Sequence, residues 1–152
     1  MTKYAVGQAV PRTEDPRLLR GTGNYVDDFN QPNQVYAFML RSPHAHAAIT
    51  SIDSADAMAM PGVLAVLTGA DYADDGLGYI TGPSPYKRRD GSTMFRPPRP
   101  ALTTDRIRHV GQIVAMVVAE TVEQAKDAAE AVLVEYEPLP VNVVTEEIGR
   151  AH

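Results

Sequence analysis

Two histidines one residue apart, His44 and His46, are the pair in this sequence whose spacing most suggests chemistry. On a strand, alternate side chains share a face, so both imidazoles would stand where a transition metal can bridge them. A metal needs a fuller shell than two ligands. The nearest carboxylates in sequence, Asp53 and Asp56, reach the pair only through one particular fold, and Pro43 bends the segment. The expectation is a structural or interface role. Ser42, with His44 and His109, has the residue types of a nucleophile and a base, but no Gly-x-Ser-x-Gly elbow surrounds it and no motif supplies a carboxylate. Asp71, Asp74 and Asp75 lack the alternating spacing and terminal glutamate of a calcium loop and are expected to cap and to face solvent. Lys87-Arg88-Arg89 reads as a wet loop, and Glu135 and Glu137 as the polar side of a strand. Gly21-Thr22-Gly23 is followed by Asn24-Tyr25-Val26-Asp27-Asp28 instead of a helix, so it is a turn and not a phosphate loop. No catalytic, cofactor-binding or metal-ligating set emerges from the residues.

The chain around these candidates has 152 residues, a net charge of -5 and no cysteine. Domains usually run to roughly 100–200 residues, so one domain with a sizeable core is expected. The acidic balance lacks the basic footprint that phosphate backbones require, which excludes nucleic acid as the expected partner. Without cysteine, this chain holds no disulfide, no cysteine-ligated zinc, no iron–sulfur cluster and no thiol nucleophile. The N-terminus has no signal-like apolar core, and no run approaches the ~20 apolar residues of a membrane span. A cytoplasmic location is the corresponding expectation.

The elements that must position any site are clearest between Arg108 and Val141. Ile113 to Ala119 is an unbroken apolar run rich in β-branched residues, the pattern of a strand buried on both faces. Thr121 and Gln124 form a capping box, followed by a helix whose stripe is Val122, Ala125, Ala128, Ala129 and Val132. The period then switches to two, with Val134 and Tyr136 facing one way until Pro138 and Pro140 end the strand. Upstream, Val35 to Leu40 reads as a second strand apolar on both faces, with Ala48 to Asp53 as its neighbour. A short helix, Ala55 to Ala59, is capped by Ser54 or Asp53 and stopped by Pro61-Gly62, and Val63 to Leu67 follows as a strand. Residues 1–33 are dense in charge and turn formers and read as a strap. Residues 70–106 form a long irregular excursion, structure resuming near Leu102. Loops of that length are functional, disordered or ordered by a partner.

Five stretches in register resemble one family. They are Glu14 to Asp28, Arg41-Ser42-Pro43-His44-Ala45-His46-Ala47-Ala48-Ile49, Pro61-Gly62-Val63, Val110-Gly111-Gln112-Ile113-Val114-Ala115, and Val134-Glu135-Tyr136-Glu137-Pro138-Leu139-Pro140-Val141. Together they are similar to the N-terminal α/β-hammerhead domain of the large, molybdenum-binding subunit of the xanthine dehydrogenase, aldehyde oxidase and carbon monoxide dehydrogenase family, most like the carbon monoxide dehydrogenase type. The resemblance implies an α+β fold with a mixed sheet, two main helices and long irregular arms. It divides the chain into a strap at 1–33, the hammerhead at 34–145 and the start of a linker at 146–152.

The implied whole is an oxidoreductase acting on carbon monoxide, aldehydes or N-heterocycles at molybdenum held by a molybdopterin dinucleotide. FAD and 2Fe–2S clusters belong to separate medium and small subunits, in keeping with the absence of cysteine here. The family's catalytic and molybdopterin contacts lie in domains that follow this one, so none carries over to a position in this chain, which alone is expected to be inactive. Its expected role is that of scaffold and interface, with Arg12, Asp15, Arg17, Arg20 and Asp28 in the strap, and Arg41 and His44 at the strand end, meeting the downstream domain or the other subunits. The alternative is a free-standing module that grips a small ligand or a protein with the 70–106 loop.

Overall fold

Strand β5, Ile113–Ala119, is the middle of the sheet on which the larger part of the chain is built. In the computed structural model, residues 7, 10–80, 82, 86–142 and 144 are described, and the 146–152 linker lies outside them. β5 is flanked by β1 (Tyr36–Arg41) and β3 (Val63–Thr68), both antiparallel to it. A second antiparallel sheet has β2 (Ala47–Asp53) between β4 (Arg106–Ile107) and β6 (Leu133–Pro138). The α+β hammerhead class is as expected, but two separate antiparallel sheets replace the single mixed one.

Two further expectations change with that topology. β2 is not the neighbour of β1, because each pairs within a different sheet. The apolar run at β1 is not buried on both faces, since it is an edge strand and Phe38 is exposed. The strand–helix–strand unit spans both sheets. β5 lies in one and β6 in the other, with α4 (Val122–Ala131) between them in sequence.

Local physics accounts for α4. The Thr121 hydroxyl accepts from the Gln124 N–H at 3.2 Å, and the Gln124 side chain accepts from the Thr121 N–H at 3.0 Å. That box satisfies orphan donors of the first turn. The alanine stripe Ala125, Ala128 and Ala129 is buried, and Ala128 and Ala129 pack with Val117 of β5, Val132 and Ala57 of the short helix α2 (Ala55–Met58). Small residues let the helix lie close on the sheet. At α2 it is the Asp53 carboxylate that caps, accepting from the Ala55 N–H at 3.0 Å, while Ser54 makes no side-chain cap.

The β1–β5 register skips Val114, pairing Leu40 with Ala115 and Arg41 with Ile113. Such a bulge turns the following side chains to the opposite face. Val114 thereby joins Ala47 and Ile107 in a second core under the other sheet. The excursion at 70–106 is partly ordered: α3 (Gly69–Asp74) starts it with a Thr68–Asp71 capping box, Lys87 and Thr93 form an isolated bridge, and Leu102 and Thr103 are buried.

Residues 1–34 form a unit of their own, separate from 35–152. Within it, α1 (Asp15–Leu18) has Pro16 in its first turn, and a short 3-10 helix covers Val26–Asp28. None of the residues in these two helices is buried. No helix among the described residues is long and apolar enough to cross a membrane.

Candidate functional site

Three of the five motif stretches meet at one end of β1 and β5. The Ser42 N–H donates to the Gln112 carbonyl at 2.9 Å, and the Gly111 N–H donates to the Ser42 carbonyl at 2.8 Å. Gly111 holds a φ of 81°, which a Cβ would strain, so glycine is needed at this turn. The Arg41 guanidinium donates to the Gly111 carbonyl at 2.9 Å. The Gln112 side chain accepts from the Arg108 N–H at 2.7 Å, closing the 108–112 turn on itself.

Ser42 is 2% exposed and organises the other side of this junction. Its hydroxyl accepts from the His44 N–H at 3.1 Å and hydrogen-bonds to Tyr136. Burial pushes the Tyr136 phenol above its ordinary value, and the Ser42 bond partly offsets that. The His44 ring tilts against Tyr136 with centroids 4.7 Å apart. His46 Nδ1 lies 2.6 Å from the Pro140 carbonyl, and its own carbonyl accepts from the Leu139 N–H at 3.0 Å.

The His-x-His pair therefore sits in the bend before β2, with each ring tied to a different partner, and among the described residues no three His, Cys, Asp or Glu side chains form a metal-holding group. Ser42 has no base, as its hydroxyl is spent on a backbone amide and a phenol. Asp71 caps α3: its carboxylate accepts from the Thr68 hydroxyl at 2.6 Å and the Thr68 N–H at 2.7 Å, which lower its pKa. Glu135 is exposed and accepts from Ser51 at 2.9 Å across the strands. In the 1–34 unit, Arg12 faces Glu14 at 3.6 Å on the exposed surface, Asp15 and Arg17 lie on α1, Arg20 is exposed, and Asp28 is tied locally to the Tyr25 N–H at 2.7 Å. Arg41 and His44 belong to the other unit, at the junction above.

Two clefts open beside the junction, and residues of the 98–103 segment line both. One, of about 340 Å³, is lined by Arg41, Arg99, Arg108 and His109 over a floor that includes Pro98 and Ile113, with no acidic residue in its lining. The other, of about 380 Å³, lies on the sheet face away from α4 and is walled by Met39, Leu67, Leu77, Ile80 and Met116. Sequence reasoning found Arg41, met Gln112 only within a family motif, and missed Arg99. Arg99 was visible only as part of a proline-rich loop, and a Gln in a turn carries no periodic signal.

Residues 20–140 match the model of the aldehyde oxidase and xanthine dehydrogenase a/b hammerhead domain. The chain is 42% identical over 141 residues to the nicotine 6-hydroxylase large subunit of Paenarthrobacter nicotinovorans, covering 93% of this chain and 16% of that protein. It is 42% identical over 132 residues to the carbon monoxide dehydrogenase large chain of Afipia carboxidovorans, covering 87% and 15%. Quinoline 2-oxidoreductase from Pseudomonas putida 86 superposes with a TM-score of 0.82 at 40% identity, over 99% of this chain and 18% of that one. The chain thus spans about a sixth of the length of such relatives.

Proposed function

The chain belongs to the α/β-hammerhead domain family of aldehyde oxidase and xanthine dehydrogenase, found in the large subunits of molybdenum hydroxylases, and from that membership we propose that it is a non-catalytic scaffold and subunit interface of such an oxidoreductase. The open face of the β1–β5–β3 sheet carries this reading. Its cleft is almost wholly apolar and has α4 only on the opposite side, and apolar surface left bare in this way marks a contact site. In the complete enzyme the face would meet the downstream molybdopterin-binding domain, with the FAD and 2Fe–2S subunits beyond it.

In this reading the molybdenum and molybdopterin are held by the rest of the enzyme. The sequence has no cysteine, and among the described residues no three His, Cys, Asp or Glu side chains are grouped to hold an ion. The interior of the junction is committed to structural hydrogen bonds. We therefore assign no step of the reaction to residues here, and its oxidation of carbon monoxide, aldehydes or N-heterocycles is assigned to the rest of the enzyme.

The test is co-purification of the tagged chain with the remaining large-subunit domains and the medium and small subunits from the same source. Met116→Asp, which puts a charge on the open face, is expected to abolish recovery of the partners while Glu130→Gln on the wet side of α4 leaves it intact. Equal recovery with both variants would refute the apolar face as the contact. Turnover by the isolated chain would refute the non-catalytic reading.

A further inference from the structure

The basic cleft goes beyond a scaffold role, and we propose that it is a binding site for carboxylates carried on a hydrocarbon body, of the kind found in organic acids and acidic side chains. Three arginines line it from different segments: Arg41 from the end of β1, Arg99 from the excursion and Arg108 from the turn before β5. His109 and Gln112 complete the polar wall.

What matters is how these cations are held. Arg41 is anchored by the neutral Gly111 carbonyl at 2.9 Å and Arg108 by the neutral Arg106 carbonyl at 2.9 Å. A carbonyl fixes a guanidinium without cancelling its charge. Among the described residues the one carboxylate paired with either is Asp105, 3.8 Å from Arg108, well outside the 2.7–2.9 Å typical of a charge-assisted bond. Among the described residues the Arg99 side chain has no hydrogen-bond or ion-pair partner at all. On a chain of net charge -5, a cleft with this lining and no acidic member is a local inversion of sign.

The chemistry selects the ligand class. Each guanidinium presents a planar fork of five N–H donors that matches a carboxylate edge. Anchoring two of the three in advance lowers the ordering cost of binding. Pro98, Pro100, Ala101 and Ile113 make the rest of the cleft apolar. Inorganic phosphate gains nothing from such a floor, whereas a carboxylate on a carbon chain uses both halves.

The experiment is titration of the 152-residue chain with glutarate, with a Glu-Leu-Glu peptide and with inorganic phosphate, at low ionic strength, followed by NMR of the arginine Nε–H and Gln112 amide signals. Glutarate or the peptide should shift Arg41, Arg99 and Arg108 saturably, and the tighter of the two names the source as free acid or polypeptide. Arg99→Gln should raise Kd roughly tenfold, the loss of one charge-assisted contact. Since the Arg99 side chain bonds nothing among the described residues, that variant is expected to keep the fold, which its spectrum verifies. Arg88→Gln, the same change in charge outside the cleft, should leave Kd unchanged. The proposal is overturned if the two variants bind alike, if neither carboxylate saturates, or if phosphate binds as tightly as both.

Discussion

Removing the Ser42 hydroxyl tests whether the junction is held by side-chain hydrogen bonds or merely by the sheet around it. In Ser42→Ala the His44 N–H loses an acceptor at 3.1 Å and the half-buried Tyr136 phenol loses its partner. A net hydrogen bond is worth about 1 kcal/mol, and a donor left unsatisfied costs about 1–3 kcal/mol. His44 and Tyr136 keep some access to water, so the lower end applies to each, giving about 2 kcal/mol in all. For a chain of this size that lowers Tm by about 4–8 °C and the urea midpoint by about 1 M. Tyr136→Phe alone removes only the shared bond and should cost about 1 kcal/mol. Because both substitutions delete that one bond, the double variant should fall short of the sum by about 0.5–1 kcal/mol. Urea unfolding of the four proteins, followed by circular dichroism, measures the cycle. A Ser42→Ala cost under about 0.5 kcal/mol, or strict additivity, would refute the reasoning.

Two further outcomes follow from the excursion. A Cβ on Gly69 would lie 2.3 Å from the Thr103 carbonyl oxygen and 2.8 Å from Thr104 Cα, both backbone, so Gly69→Ala should destabilise by about 1–3 kcal/mol. Gly78→Ala, whose Cβ meets open space, should stay within about 0.5 kcal/mol in the same thermal melts. At Asp71 the Thr68 hydroxyl and N–H hold the folded pKa below 3.8, so the carboxylate's contribution is present above that pH and is lost as pH falls through the lower folded value. Asp71→Asn should therefore cost about 0.5 kcal/mol at pH 7, the low end for an exposed cap, and the gap to the parent chain should close in melts below pH 3.8. A gap that persists in acid contradicts the assignment.

The sequence by itself determined the elements whose cause is local. The bounds of β5, the Thr121–Gln124 box, the alanine stripe of α4 and the alternation of β6 all follow from periodicity and capping, which act over a few residues. The five motif stretches pointed to the family because together they span the chain in register. Tertiary structure alone decided which strand pairs with which. An apolar run such as β1 is compatible with an edge or a centre, and only the completed sheet, in which β1 is an edge, shows that Phe38 is exposed.

The same holds for the junction. His44 and His46 looked like a pair because they are close in sequence, but a ring contact assigns His44 to Tyr136 and a hydrogen bond assigns His46 to Pro140, residues some ninety positions away. Arg41, Arg99 and Arg108 looked unrelated, yet the bulge at Val114 and the Gly111 turn bring them around one cleft. Side-chain types and local periods are written in the chain. Convergence is set by long-range backbone pairing, which no local pattern encodes.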